Sequence, residues 1–179
     1  MKKIKHFTKT MVLLISNICL CSCMGRGPAP VDVVMVDNEL FFVLEKKWEI
    51  SSVCVDTRNP KAGEVGEKDW KTVWALNHNP ATTEAELKKW KYPKMRQIKY
   101  GQKIEELPMV TGPFELQKNV EYLVRIDLRK KIARETFIIT DENKAVMPKP
   151  RFPRQKGRTY SVSIDKDGNK ILIPKPVPK

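Results

Sequence analysis

The chain has 179 residues, 34 Lys or Arg against 21 Asp or Glu, a formal charge of +13 and 41% hydrophobic residues. That length suits one domain with a real core. Two histidines, four cysteines and eight scattered glycines exclude a His/Cys-rich metal protein and a glycine-rich phosphate loop.

The N-terminus carries the most specific signal. Lys2, Lys3, Lys5 and Lys9 precede an apolar run from Met11 to Leu20, which leads into Leu20-Cys21-Ser22-Cys23. The run is too short to span a bilayer, which takes roughly 20 apolar residues. A basic start, a short apolar stretch and a small residue before the cut mark a removable targeting segment. The expectation is a lipoprotein signal peptide over 1–22, lipidation of Cys23, and a lipidated Gly/Pro linker over 23–30. Met24, where Asp would favour inner-membrane retention, points to a lipid-anchored, periplasm-facing protein of the outer membrane.

Charge is unevenly spread. Ten Lys or Arg and two Asp fall between Lys144 and Lys179, whereas 23–143 is nearly neutral. Export makes nucleic acid an unsuitable partner. The basic region suits lipid headgroups, cell-wall anions or an acidic protein surface. Once the signal is removed and Cys23 carries lipid, Cys54 is left without a disulfide partner. It reads as an inert thiol in the strand Val53-Cys54-Val55.

In chain order, Val31–Val36 and Leu40–Leu44 around Asp37-Asn38-Glu39 predict a hairpin. Glu49–Asp56 reads as a third strand closed by Asn59-Pro60, and Thr72–Leu76 as a fourth. Thr83 and Glu86 have capping-box spacing, predicting one short helix to Trp90, ended by Pro93. Gln97–Tyr100 and Ile104–Leu107 flank Gly101 as a further pair of short strands. Tyr122, Val124, Ile126 and Leu128 alternate with more polar neighbours, a half-buried strand. Its tyrosine, following Gly112-Pro113 and Leu116, resembles the tyrosine corner of fibronectin-type sandwiches. Ala133–Thr140 pairs with it. Met147–Arg158 is a proline-broken basic loop. Tyr160–Ile164 and Ile171–Ile173 flank Asp167-Gly168-Asn169 as a terminal hairpin. Residues 175–179 are an extended basic tail. The expected fold is mainly β: an antiparallel β-sandwich, immunoglobulin/fibronectin-like, over 31–174 with one short helix.

Catalytic signals are sparse. His78 is the only histidine past the signal and sits in Asn77-His78-Asn79-Pro80, with no Gly-x-Ser-x-Gly elbow. Neighbouring Glu105-Glu106 and Asp141-Glu142 are solvated turn charges rather than an acid/base couple. The expectation is a non-enzyme with no metal and no cofactor. Trp48, Trp74 and Trp90 are assigned to core packing. Trp70, among Glu67, Lys68, Asp69 and Lys71, is a candidate interface anchor. Arg151, Arg154, Lys156 and Arg158 around Phe152-Pro153 form a candidate contact for an acidic partner.

Cys23 with Gly25–Pro30, the strand through Val53-Cys54-Val55, Ile98-Lys99-Tyr100-Gly101 and Leu116–Ile126 together resemble the type VI secretion immunity lipoproteins of Gram-negative bacteria. The resemblance implies a periplasmic, non-enzymatic protein that binds and neutralises a toxic effector delivered by a neighbouring cell. It supplies no catalytic residues and no counterpart for the basic tail. Two other readings stay open: a structural lipoprotein of an envelope secretion machine, and a cell-wall ligand-binding lipoprotein.

Overall fold

In the computed structural model the described residues are 28–58, 70–77, 91–150, 152 and 158–176. The signal segment, Cys23, the helix expected over 83–90, and Arg151, Arg154 and Lys156 lie outside them.

The protein is mainly β with antiparallel sheets, and no helix occurs among the described residues. β1 (Val31–Val36) and β2 (Glu39–Glu49) form the first hairpin. Its loop is two residues, Asp37 and Asn38, with φ of 49° and 63°. Positive φ at both central positions is the turn whose twist matches paired strands, and Asp and Asn tolerate it. β3 (Ser52–Arg58) and β4 (Trp70–Asn77) follow, then β5 (Lys94–Lys99) and β6 (Met109–Thr111). β7 (Glu121–Asp127), β8 (Ile132–Ile139) and β9 (Ala145–Val146) come next. β10 (Tyr160–Ile164) and β11 (Lys170–Pro174) close the chain. The strands order as β1-β2-β5, as β6-β4-β3-β7-β8-β9, and as the separate pair β10-β11.

Several boundaries differ from the sequence reading. Glu49 ends β2 rather than opening β3. The charged stretch Glu45-Lys46-Lys47 hides the continuation of β2, which β5 holds by pairing Val43 with Gln97 and, past a bulge, Trp48 with Met95. Buried Ile50 and Ser51 then carry the chain from the smaller sheet to the larger one. Gln97–Tyr100 does pair, but with β2; Ile104–Leu107 is a turn closed on itself by the Leu107 N–H donating to the Ile104 carbonyl at 3.0 Å. Ala29, before β1, is buried and its N–H donates to Ile132 O at 3.0 Å.

One core draws on both larger sheets. Val31, Val33, Leu40, Phe42, Leu44 and Ile98 come from the small sheet, and Val53, Val55, Trp74, Val124, Ile126 and Phe137 from the six-stranded one. The alternation read in β7 is real, since Tyr122, Val124 and Ile126 are buried while Leu123 and Arg125 point away. β2 is different. Leu40, Phe42 and Leu44 face this core, but Phe41 and Val43 are also buried, under Leu172 of β11. The terminal hairpin therefore lies on the outer face of β1-β2-β5. An unbroken apolar run is what burial on both faces requires.

The Tyr122 hydroxyl reaches back to the loop before its own strand. It accepts the Gln117 N–H at 2.7 Å and faces the Gln117 carbonyl at 3.4 Å. The ring stacks on Phe137 at 5.4 Å. Tyr122→Phe keeps the ring and removes the hydroxyl, so it should lower unfolding free energy by about 1 kcal/mol, the net value of one such bond. Chemical denaturation measures this; an unchanged midpoint would mean that the hydroxyl does not hold the loop.

Candidate functional site

Strand direction gives the molecule two distinct ends. Pro28, Ala29 and the β7–β8 turn over 128–131 lie at one, because Ala29 pairs with Ala133. The Asp37-Asn38 turn, the end of β5 and the start of β7 lie at the other. A cleft of about 460 Å³ opens at this second end, between the two larger sheets. Met35, Leu40, Tyr100, Leu116 and Ile139 give it an apolar interior, and Phe114 is exposed at its mouth (55%).

The loop that carries Phe114 is pressed against β4. Phe114 N–H donates to Val73 O at 3.0 Å. Gly112 has φ of 69°, and a Cβ there would lie 2.1 Å from Val73 O, so only glycine permits the approach. The Tyr100 hydroxyl donates to Phe114 O at 2.7 Å, and burial pushes this phenol well above its ordinary range. The Tyr100 ring meets Trp74 edge-on at 5.1 Å, so the cleft wall is tied into the core.

The rim is polar. Lys99 Nζ donates to Glu39 Oε1 at 2.9 Å, and Lys170 Nζ reaches Asp37 and Glu39 at 2.9 Å each. Both lysines hold the Glu39 carboxyl below its usual range. Lys118 Nζ donates to Asp141 O, and Asn143 Nδ2 to Asn38 Oδ1 at 3.1 Å, which joins the β1–β2 turn to the turn after β8. An exposed aromatic over a partly apolar cleft with a charged margin has the composition of a protein-binding patch.

The residues singled out from sequence fall in different places. Trp70 opens β4, half-buried and paired with Arg58. It stands three residues before Val73, or roughly 10 Å along the strand, at the same end as the cleft. Arg158 already has an acidic partner within the chain. Its Nη1 donates to Asp32 Oδ2 at 2.7 Å, with the Arg158 side chain 19% exposed and Asp32 buried. The Tyr160 hydroxyl also donates to Asp32 Oδ2. Burial, then the Asp32 charge, push the Tyr160 phenol far up. Beside this clamp, Gln97 of β5 grips β11: its amide donates to Lys170 O, and its oxygen accepts Leu172 N–H at 2.9 Å. Arg158 is thus a fastener of the terminal hairpin, and Trp70 does not meet it.

Cys54 is half-buried on the outer face of the six-stranded sheet. Its thiol donates to Asp56 Oδ1 at 3.1 Å, and Asp56 also takes Thr72 Oγ1 and Arg125 Nη2, each at 2.8 Å. Burial and the Asp56 hydrogen bond push the thiol up, away from the reactive thiolate. Sequence reasoning missed Phe114, Tyr100 and Asp32. Gly112-Pro113 before Phe114 was the available signal for the first; Asp32 finds Arg158 from 126 positions away, which no local pattern reveals.

Comparison with family models, curated proteins and solved structures finds no match to this chain.

Replacing Arg158 with Met should leave the buried Asp32 carboxylate with Tyr160 as its side-chain partner among the described residues. Removing one member of a buried pair costs ~3–5 kcal/mol; the remaining phenol reduces this to about 2 kcal/mol. Urea unfolding of R158M and of D32N/R158M reads it, the double variant recovering part of the loss. If R158M unfolds like the parent, the arginine is not holding the hairpin.

Proposed function

We propose that this chain is a lipid-anchored lipoprotein, held through Cys23 in the outer membrane facing the periplasm, that binds and neutralises a type VI secretion effector. The observation that carries this reading is the cleft at the far end from Pro28, with Phe114 at its mouth. A tether at Cys23 would leave that end free to meet an incoming protein. We read the fold as a fibronectin-type sandwich, with strands 1, 2 and 5 facing strands 4, 3, 7 and 8. Tyr122 sits at the start of a late strand and bonds to the loop behind it, as such a corner requires. Sandwiches of this kind present loops at their ends as binding surfaces.

In this reading Phe114 is the anchor, and Trp70 extends the same end of the molecule. Arg151, Arg154 and Lys156, which lie outside the described residues, stay proposed as contacts that speed encounter with an acidic effector surface, without the fourth member, Arg158, which is engaged with Asp32. The partner is a protein and the mode is stoichiometric occlusion, with no cofactor.

The test is survival of cells deleted for this gene against a type VI-armed sibling. The deletion strain should be killed, the wild-type gene should rescue it, and Phe114→Asp should fail to rescue although the protein accumulates normally. A central aromatic anchor is worth ~2 kcal/mol or more, about 30-fold in affinity. Survival of the deletion strain at the parental level, with no second copy present, would discard immunity in favour of an envelope-machinery role.

A further inference from the structure

We propose that the β7–β8 turn is a docking surface for anionic phospholipid headgroups, which sets the molecule upright on its membrane. This rests on the anchor reading for its geometry, but its chemistry is visible in the turn itself. The shallow pocket at this end, about 490 Å³, is lined by Pro28, Asp127, Arg129, Lys130, Lys131, Ile132 and Arg134. Four cations stand there against one carboxylate. Asp127 is already used, since its Oδ1 accepts the Arg129 N–H at 2.8 Å. Arg129 is spoken for by Glu49 at 3.1 Å and lies over the Tyr92 ring at 4.4 Å. Lys130, Lys131 and Arg134 have no salt bridge among the described residues.

Arg134 stands directly across from Arg125 on the neighbouring strand. Like charges in that position destabilise a sheet. Asp56 neutralises Arg125 at 2.8 Å, and Arg134 has no such counter-charge among the described residues. Between these charges Ile132 is 53% exposed, an apolar side chain in a basic turn. The turn backbone is fixed. Leu128 N–H donates to Lys131 O at 2.8 Å, Lys130 N–H to Leu128 O at 2.7 Å, and Arg129 holds φ of 61°. A fixed turn that presents cations beside one apolar residue suits a phosphate-rich surface with hydrocarbon beneath it.

Place fits chemistry. The Ile132 carbonyl bonds Ala29, one residue past Pro28. Cys23 is five residues before Pro28, a span of roughly 17 Å at full extension. A lipid on Cys23 would therefore hold Pro28, and this turn beside it, within roughly 17 Å of the headgroup layer.

The experiment uses the full chain and K130E/K131E/R134E, floated with vesicles of phosphatidylcholine alone or with 30% phosphatidylglycerol. Each Lys or Arg near an anionic surface adds about fivefold to partition. The parent should favour the anionic vesicles, losing that preference at 0.5 M salt; K130Q/K131Q/R134Q, which removes three cations, should partition about 100-fold less to them, and the charge-reversed triple variant less still. Circular dichroism and the unfolding midpoint confirm that the variants fold. Equal partition of the parent to both vesicles, or a triple variant that keeps the preference, overturns the proposal; so does preference that survives high salt. The same comparison in the Cys23→Ala chain separates the two readings. Loss of lipid mass without loss of anionic preference leaves the docking surface standing, and an unaltered mass in Cys23→Ala fails the anchor alone.

Discussion

The structure depends on burying β2 on both of its faces. Phe42 points one way, stacking toward Trp74 at 6.4 Å and meeting Phe137 edge-on at 5.9 Å, so it bridges the two larger sheets. Phe41 and Val43 point the other way, beneath Leu172. Each large side chain fully buried contributes ~1.5–3 kcal/mol. The aromatic chain continues from Trp74 to Tyr100, whose hydroxyl holds the carbonyl of Phe114. Core packing and the shape of the cleft are thus one connected arrangement. A disturbance at Phe42 would reach the cleft end through two ring contacts and one hydrogen bond.

The hairpin over the outer face is held differently. Only Leu172 is fully buried there, so its own apolar burial is small. Polar groups do the rest: Arg158 and Tyr160 on Asp32 at one end, Gln97 on the β11 backbone in the middle, Lys170 on Asp37 and Glu39 at the other. The exposed Lys170 pairs are screened and weak individually. The buried carboxylate is what makes the docking specific, because Asp32 without a cation would be costly. Two cations of the basic C-terminal region, Arg158 and Lys170, therefore have an internal use. At the β7–β8 turn, Lys130, Lys131 and Arg134 have no salt bridge among the described residues.

Elements with local signals were legible. Asp37-Asn38 marked its turn, the period of two marked β7, and Asp167-Gly168-Asn169 marked the final hairpin, where Asp165 Oδ1 accepts Asn169 N–H at 2.8 Å. Tyr122 and the loop behind it were legible because five residues separate the bonded groups. What escaped was set by distant pairing. Glu45–Glu49 has no apolar alternation and is a strand because β5 lies beside it. β6 and β9 have three and two residues, too few for a period. The run Leu40–Leu44 was read only as a hairpin strand; its second cover, β11, is more than a hundred residues away. For the site, charge and tryptophan did not reveal partners or exposure: Trp70 is half-buried and Arg158 is held on Asp32. Arg158 was visible as an arginine in a basic loop; Asp32 was not visible as its counterpart.

The central claim is that the protein meets its partner with the Phe114 end and its membrane with the Lys130–Lys131 end. The most direct measurement is photo-crosslinking in living cells, with a benzophenone side chain placed at position 114 or position 132 while a type VI-armed sibling attacks. The account predicts that position 114 captures one effector protein, identified by mass, and that position 132 captures phospholipid and no effector. Capture of the effector from position 132 with none from position 114 would contradict it.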